Sequence, residues 1–106
     1  MLLSITKIEL GSYSKLKPFF RFNRAIISEL KRSKCTSFKI TGSWNFKSWY
    51  TMTLWENEND LLQFIASETH LKAMQQSRSF SNNIQLKRLH KNELISWKEA
   101  KRLFTS

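Results

Sequence analysis

The segment SWYTMTLW, residues 48–55, constrains the fold more than any other part of the chain. Read at the two-residue period of a strand, it has two faces: Trp49, Thr51, Thr53 and Trp55 on one, and Tyr50, Met52 and Leu54 on the other. Neither face carries a charge. Such a strand is covered on both sides, which predicts a central strand with helices over one face. WENEND follows, and the period changes at once. Leu61, Leu62, Phe64, Ile65 and Ala66 recur at helical spacing behind Asn and acidic residues suited to a helix start.

The remaining elements read in the same way. MLLSITKIEL is a first strand, and Gly11 with SYSK forms the first break. Pro18 fits the first turn of a helix, where its missing N–H costs nothing. Phe19, Phe22, Ile26 and Leu30 then recur at helical spacing, with Phe20 and Ile27 widening the apolar stripe. Arg21, Arg24, Ser28 and Lys31 fill the opposite face, and KRSK suits the helix C-terminus. In CTSFKITG, Phe38 and Ile40 alternate with polar residues, a half-buried strand ending at Gly42. SETH marks a break, after which Leu71 and Met74 belong to a short helix running towards Arg78. NNIQLKRLHK, with Ile84, Leu86 and Leu89 among charges, predicts a last strand at an edge or an interface. The tail opens on Ser96-Trp97-Lys98-Glu99, a capping-box pattern, and Trp97, Ala100 and Phe104 share a face of the terminal helix.

The predicted order is βαββαβ plus a short C-terminal helix: an α+β, ferredoxin-like unit with an antiparallel sheet, spanning residues 1–106 as one domain. Helices cover one sheet face. The other, one of the Trp49 and Tyr50 sets, is expected to be left apolar and so to mark an interface or a ligand site. With 41% hydrophobic and 25% charged residues, the chain is neither disordered nor membrane-spanning. Its first residues are too broken by Ser4, Thr6, Lys7 and Glu9 for a signal-peptide core, so a cytoplasmic protein is expected. The single cysteine, Cys35, excludes an intrachain disulfide framework and a Cys-rich zinc site.

A net charge of +10 raises the question of nucleic acid. The Lys and Arg residues are spread along the chain without a block of five or six, so they read as solvated faces, and nucleic acid is not the expected partner. RNA-recognition motifs share the βαββαβ order, but their third strand needs a basic residue, glycine and alternating aromatics on an open sheet. KSWYTMTLW has the aromatics without the glycine and looks like a covered strand. A basic module of that topology remains an alternative reading.

At WENENDLLQFIASETHLKAM the chain resembles the dimeric α/β-barrel proteins, in particular the antibiotic-biosynthesis-monooxygenase-like group; SWKEAKRLF resembles the C-terminal helix of spheroidene-monooxygenase-like sequences. The resemblance implies a homodimer with two sheets face to face, a dimeric α+β barrel. It also implies a small-molecule pocket between each sheet and its helices. The activities it implies are cofactor-free oxidation of aromatic compounds and haem binding or degradation. Aligned on Trp55-Glu56, Phe64 and Met74 stand where the haem-degrading branch has a Trp and an iron-ligating His, and LLSITKIEL offers no counterpart to its strand-one Asn. No cofactor is therefore expected, and haem is disfavoured.

His70 is the first candidate for chemistry. Beside an apolar helix face, an imidazole can act as a base near neutral pH, hydrogen-bond a substrate or ligate haem iron. Its alternative is to pack or cap at the SETH break. Tyr50 is the second catalytic candidate. Trp49, Trp55, Phe64, Met74 and Trp44 are the expected lining of a pocket for a flat substrate, although aromatics at strand spacing also build cores and interfaces. His90 reads as solvated, Glu56 and Asp60 as part of a helix start, and no metal site is expected. The expected function is binding, and oxidation, of a small hydrophobic or aromatic compound. The alternative is a non-catalytic haem- or ligand-binding dimer.

Overall fold

The first strand, β1 (Leu2–Leu10), lies inside the sheet and sets its two faces. In the computed structural model the backbone is described for residues 1–43, 45–77 and 81–104, and their side chains except at 68, 69, 73, 77, 81 and 82. A single 3₁₀ turn (Tyr13–Lys15) leads into α1 (Leu16–Arg32), followed by β2 (Ser37–Gly42) and β3 (Ser48–Trp55). Then come α2 (Glu58–Ile65), α3 (Glu68–Ser77), β4 (Ser81–His90) and α4 (Trp97–Arg102).

The sheet order is β2-β3-β1-β4 with every neighbouring pair antiparallel, the arrangement of a ferredoxin-like βαββαβ unit. The uncharged strand β3 is interior, and the charged strand β4 is an edge, both as their sequences predict. Side-chain caps mark the starts of α2, α3 and α4. The Asn57 carboxamide oxygen accepts from the Asp60 amide at 2.9 Å, the Ser67 hydroxyl from the His70 amide at 3.2 Å, and the Ser96 hydroxyl from the Glu99 amide at 3.2 Å. The SETH break is thus a capped restart: α2 closes at Ala66 and α3 begins on the Ser67 hydroxyl.

Period two divides the sheet into two packed faces. On one, Ile8, Leu10 and Trp55 meet Phe19, Phe22, Ile26 and Leu30 of α1 and Leu61 and Phe64 of α2. On the other, Leu3, Ile5, Met52 and Leu54 meet Ala100 of α4, flanked by Leu94, Ile95, Trp97, Leu103 and Phe104. The expectation of an apolar face left open is corrected here. Trp97 and Phe104 lie 6.4 Å and 6.0 Å from the Tyr50 ring between centroids, and Tyr50 is buried. The chain packs its own C-terminal segment on the second face, with Ala100 of α4 fully buried against Leu3, Ile5, Met52 and Leu54.

The apolar stripe of α1 is narrower than its sequence suggests. Its core stripe is Phe19, Phe22, Ile26 and Leu30, but Phe20 is exposed and Ile27 only half-buried. The helix touches the sheet along one narrow line, and these two positions fall outside it.

Candidate functional site

A cavity of about 330 Å³ lies between the sheet and the helices α1, α2 and α3. The register explains its existence. On the face towards the helices, Leu2 pairs with Trp55 and Ile8 with Trp49, while between them Ser4 pairs with Thr53 and Thr6 with Thr51. The two Trp ends are bulky and the middle is small. Phe64 packs on Trp55 at 5.4 Å, and Phe19 on Trp49 at 5.0 Å. These contacts hold the helices off the sheet, and four short hydroxyl side chains cannot fill the gap beneath. An unfilled gap in a protein interior is uncommon, since cores pack to crystal density.

The floor is therefore Ser4, Thr6, Thr51 and Thr53, and the roof comes from Phe22, Ile26, Leu30, Leu61, Phe64, Ile65 and Met74. His70 and Leu71 of α3, with Leu86 and Arg88 of β4, stand on the remaining side. Leu71 and Leu86 are both about half exposed, which puts the mouth between α3 and the edge strand. A mostly apolar cleft of this size with a few convergent polar groups is the usual form of a small-molecule site.

His70 is the group in this wall suited to proton transfer near neutral pH. Its ring stands edge-on to Phe64 at 5.0 Å between centroids. Burial pushes its pKa below the ordinary 6.5, and a backbone hydrogen bond with Ile65 opposes that shift without cancelling it. The imidazole is therefore neutral at pH 7. Its Nδ1 is buried and has no hydrogen-bond partner among the described residues. A buried nitrogen in that condition carries the desolvation cost of an unmade bond, about 1–3 kcal/mol, which a bound hydroxyl would remove.

The other expected site residues divide clearly. Phe64 and Met74 line the cavity with His70. Trp55 is wholly buried beside it, its Nε1 donating to the Thr53 hydroxyl at 2.9 Å; that bond fixes one of the floor hydroxyls. Trp49 packs among Phe19, Phe20 and Phe46 at the far end of the sheet, with its Nε1 donating to the Phe46 carbonyl at 2.8 Å. Gly42 sits opposite it in the register, and a Cβ there would meet the Trp49 ring at 2.9 Å, so only glycine lets the ring lie flat on β2. Tyr50 is brought together with Trp97 and Phe104, not with His70: it points to the opposite face of the sheet because its neighbours Trp49 and Thr51 point to the helices. Trp44 lies outside the described residues. His90 is exposed on β4.

Sequence reasoning missed the floor hydroxyls and the β4 wall. The signal was present, since Ser4, Thr6, Thr51 and Thr53 put small polar residues where a covered strand face calls for large apolar ones. Among the described residues, no group of three or more His, Cys, Asp or Glu could hold a metal ion. None of the described helices is long and apolar enough to cross a membrane.

Neither a protein family nor a curated protein matches this sequence. Solved structures do match the fold. An antibiotic biosynthesis monooxygenase superposes with a TM-score of 0.79 at 9% identity, covering 88% of this chain and 100% of that one. A conserved protein from Methanosarcina mazei Go1 gives 0.78 at 14% identity, with 86% and 92% covered. SnoaB, a cofactor-independent oxygenase from Streptomyces nogalater solved as a point mutant, gives 0.72 at 8% identity, with 89% and 95% covered. The chain therefore has the ferredoxin-like fold of the antibiotic-biosynthesis-monooxygenase-like proteins, over nearly its whole length and theirs.

Proposed function

We propose that this chain binds a small, flat, hydroxylated aromatic compound in the cavity between sheet and helices and oxidises it with molecular oxygen, His70 serving as the base. The observation that carries the reading is the unpartnered, buried Nδ1 of a neutral imidazole in the wall of an apolar cleft. A neutral imidazole accepts a proton; a substrate hydroxyl, or an acidic ring methylene in its keto tautomer, supplies one. The apolar roof holds the ring, and the floor hydroxyls orient its oxygen. The fold neighbour described as a cofactor-independent oxygenase is compatible with chemistry of this kind.

In the proposed reaction His70 takes a proton from the methylene, leaving a carbanion delocalised over the ring system. That carbanion adds to dioxygen as a peroxide, which takes the proton back from His70. Loss of water then leaves a ketone, so one methylene and one dioxygen become one carbonyl and one water. Oxygen consumption with such a substrate, measured for the wild type and for His70→Ala and His70→Gln, tests the role. Loss of at least a hundredfold in turnover with unchanged folding supports it; turnover indifferent to both substitutions overturns it.

The same reading includes a homodimer. Because α4 lies on the Tyr50 face, two sheets can face each other only with their α4 helices between them.

A further inference from the structure

The structure gathers cations that are dispersed in the sequence. On α1, Lys17, Arg21, Arg24 and Lys31 recur with spacings of four, three and seven residues, and all four are exposed. At 100° per residue they share one narrow stripe with Ser28, directly opposite the buried line of Phe19, Phe22, Ile26 and Leu30. The described ion pairs are Lys7–Glu9, Arg32–Glu29 and Lys34–Asp60, so none of the four faces a carboxylate among the described residues. From Lys17 to Lys31 the stripe runs roughly 21 Å at 1.5 Å per residue.

Aromatic rings flank one end of it. Phe20 is 48% exposed, Tyr13 57% and Phe46 55%. Phe20 and Phe46 stand at 5.4 Å and 6.3 Å from Trp49, and the Lys47 ammonium lies 4.9 Å from the Tyr13 ring centre. Phe46 has a left-handed backbone, φ 60°, which bulky residues rarely adopt. The loop holds it there: the Phe46 amide donates to the Ser43 carbonyl, the Lys47 amide to the Asn45 side chain, and the Trp49 indole to the Phe46 carbonyl. That backbone keeps the Phe46 ring beside Trp49 while leaving it more than half exposed.

We infer that the α1 stripe and the Phe20–Phe46 rings form a binding surface for single-stranded nucleic acid, separate from the His70 cavity. Unpaired cations in a row meet phosphates, and exposed aromatic faces meet unstacked bases, the combination that single-strand binders use. An open-sheet mode like that of RNA-recognition motifs is closed to this chain, because α1–α3 and α4 occupy both sheet faces. A second copy of the chain is opposed by the like charge of two such stripes. An anionic bilayer would draw the cations but needs a broad apolar helix face, and the apolar face of α1 is spent on the core.

The test is fluorescence anisotropy of labelled single-stranded DNA and RNA 12-mers, of the matching duplex, and co-sedimentation with phosphatidylserine vesicles. Single strands are expected to bind, with log K falling against log salt at a slope of about −3 for four phosphate contacts. Phe46→Ala and Phe20→Ala each lower that affinity about tenfold or more through lost stacking. The fourfold change of Lys17, Arg21, Arg24 and Lys31 to Gln abolishes binding, while His70→Ala leaves it intact. Absent binding, equal affinity for duplex and single strand with no loss in Phe46→Ala, preference for vesicles, or self-association that Phe46→Ala removes would each overturn the proposal. Unchanged circular dichroism of the Phe20, Phe46 and fourfold variants, all altered at exposed positions, keeps a loss interpretable.

Discussion

At the scale of the residue, His70 and the four floor hydroxyls are coupled by what they lack. Ser4, Thr6, Thr51 and Thr53 leave a gap, and His70, whose Nδ1 has no partner among the described residues, stands at its side. Filling the gap should therefore separate binding from folding. Thr51→Leu is expected to weaken binding of a hydroxyaromatic ligand at least tenfold in calorimetric titration, with the thermal midpoint unchanged or raised as the cavity fills. His70 also predicts a pH signature. Its pKa in the folded state is depressed below 6.5, so the unfolded chain holds the proton more readily. The stabilisation is fully present above pH 6.5 and is lost as pH falls towards the folded pKa, by at most about 1.4 kcal/mol per pH unit. Urea unfolding between pH 7 and pH 5 should show a steeper loss in the wild type than in His70→Gln; identical slopes would remove His70 from the account.

At the scale of the element, most of the chain was legible because its periods are clean. The uncharged β3, the four-residue core line of α1, the capped starts at Asn57 and Ser96 and the charged edge β4 all stand where the sequence puts them. What sequence could not supply was the register. Trp49 and Trp55 read as pocket walls until pairing with Ile8 and Leu2 shows them at the two ends of a sheet face, packed as spacers. Tyr50 looked like a partner for His70, yet one step of parity places it under α4. The role of α4 was half visible: its apolar face was clear, but a six-residue helix gives no sign of where it docks. Its contribution is testable. Ser96→Ala should cost about 1 kcal/mol by removing the cap. Ala100→Leu should cost more, about 1–3 kcal/mol, because Ala100 has no exposed surface and a larger side chain must push α4 off Leu3, Ile5 and Met52. Equal stability of Ala100→Leu and the wild type in denaturant would mean that α4 is not seated on the sheet.

At the scale of the whole molecule, charge and cavity are arranged on different surfaces. The cavity opens between α3 and β4, where Arg88 lines it. The cationic stripe of α1 lies opposite the buried line of that helix, on the outer side of the helix layer. A homodimer therefore leaves both in play if it forms over α4, and sedimentation equilibrium at micromolar concentration is expected to return twice the chain mass of 12.6 kDa. Ligand binding in the cavity underlies the proposed chemistry. The measurement that reaches it most directly is an NMR titration of the His70 imidazole with a bicyclic phenol such as naphthol. Saturable movement of the His70 ring resonances, together with those of Thr51 and Phe64, is the predicted result. Movement confined to Tyr50, Trp97 and Phe104, with His70 unmoved, would place the ligand on the other face of the sheet and contradict the account.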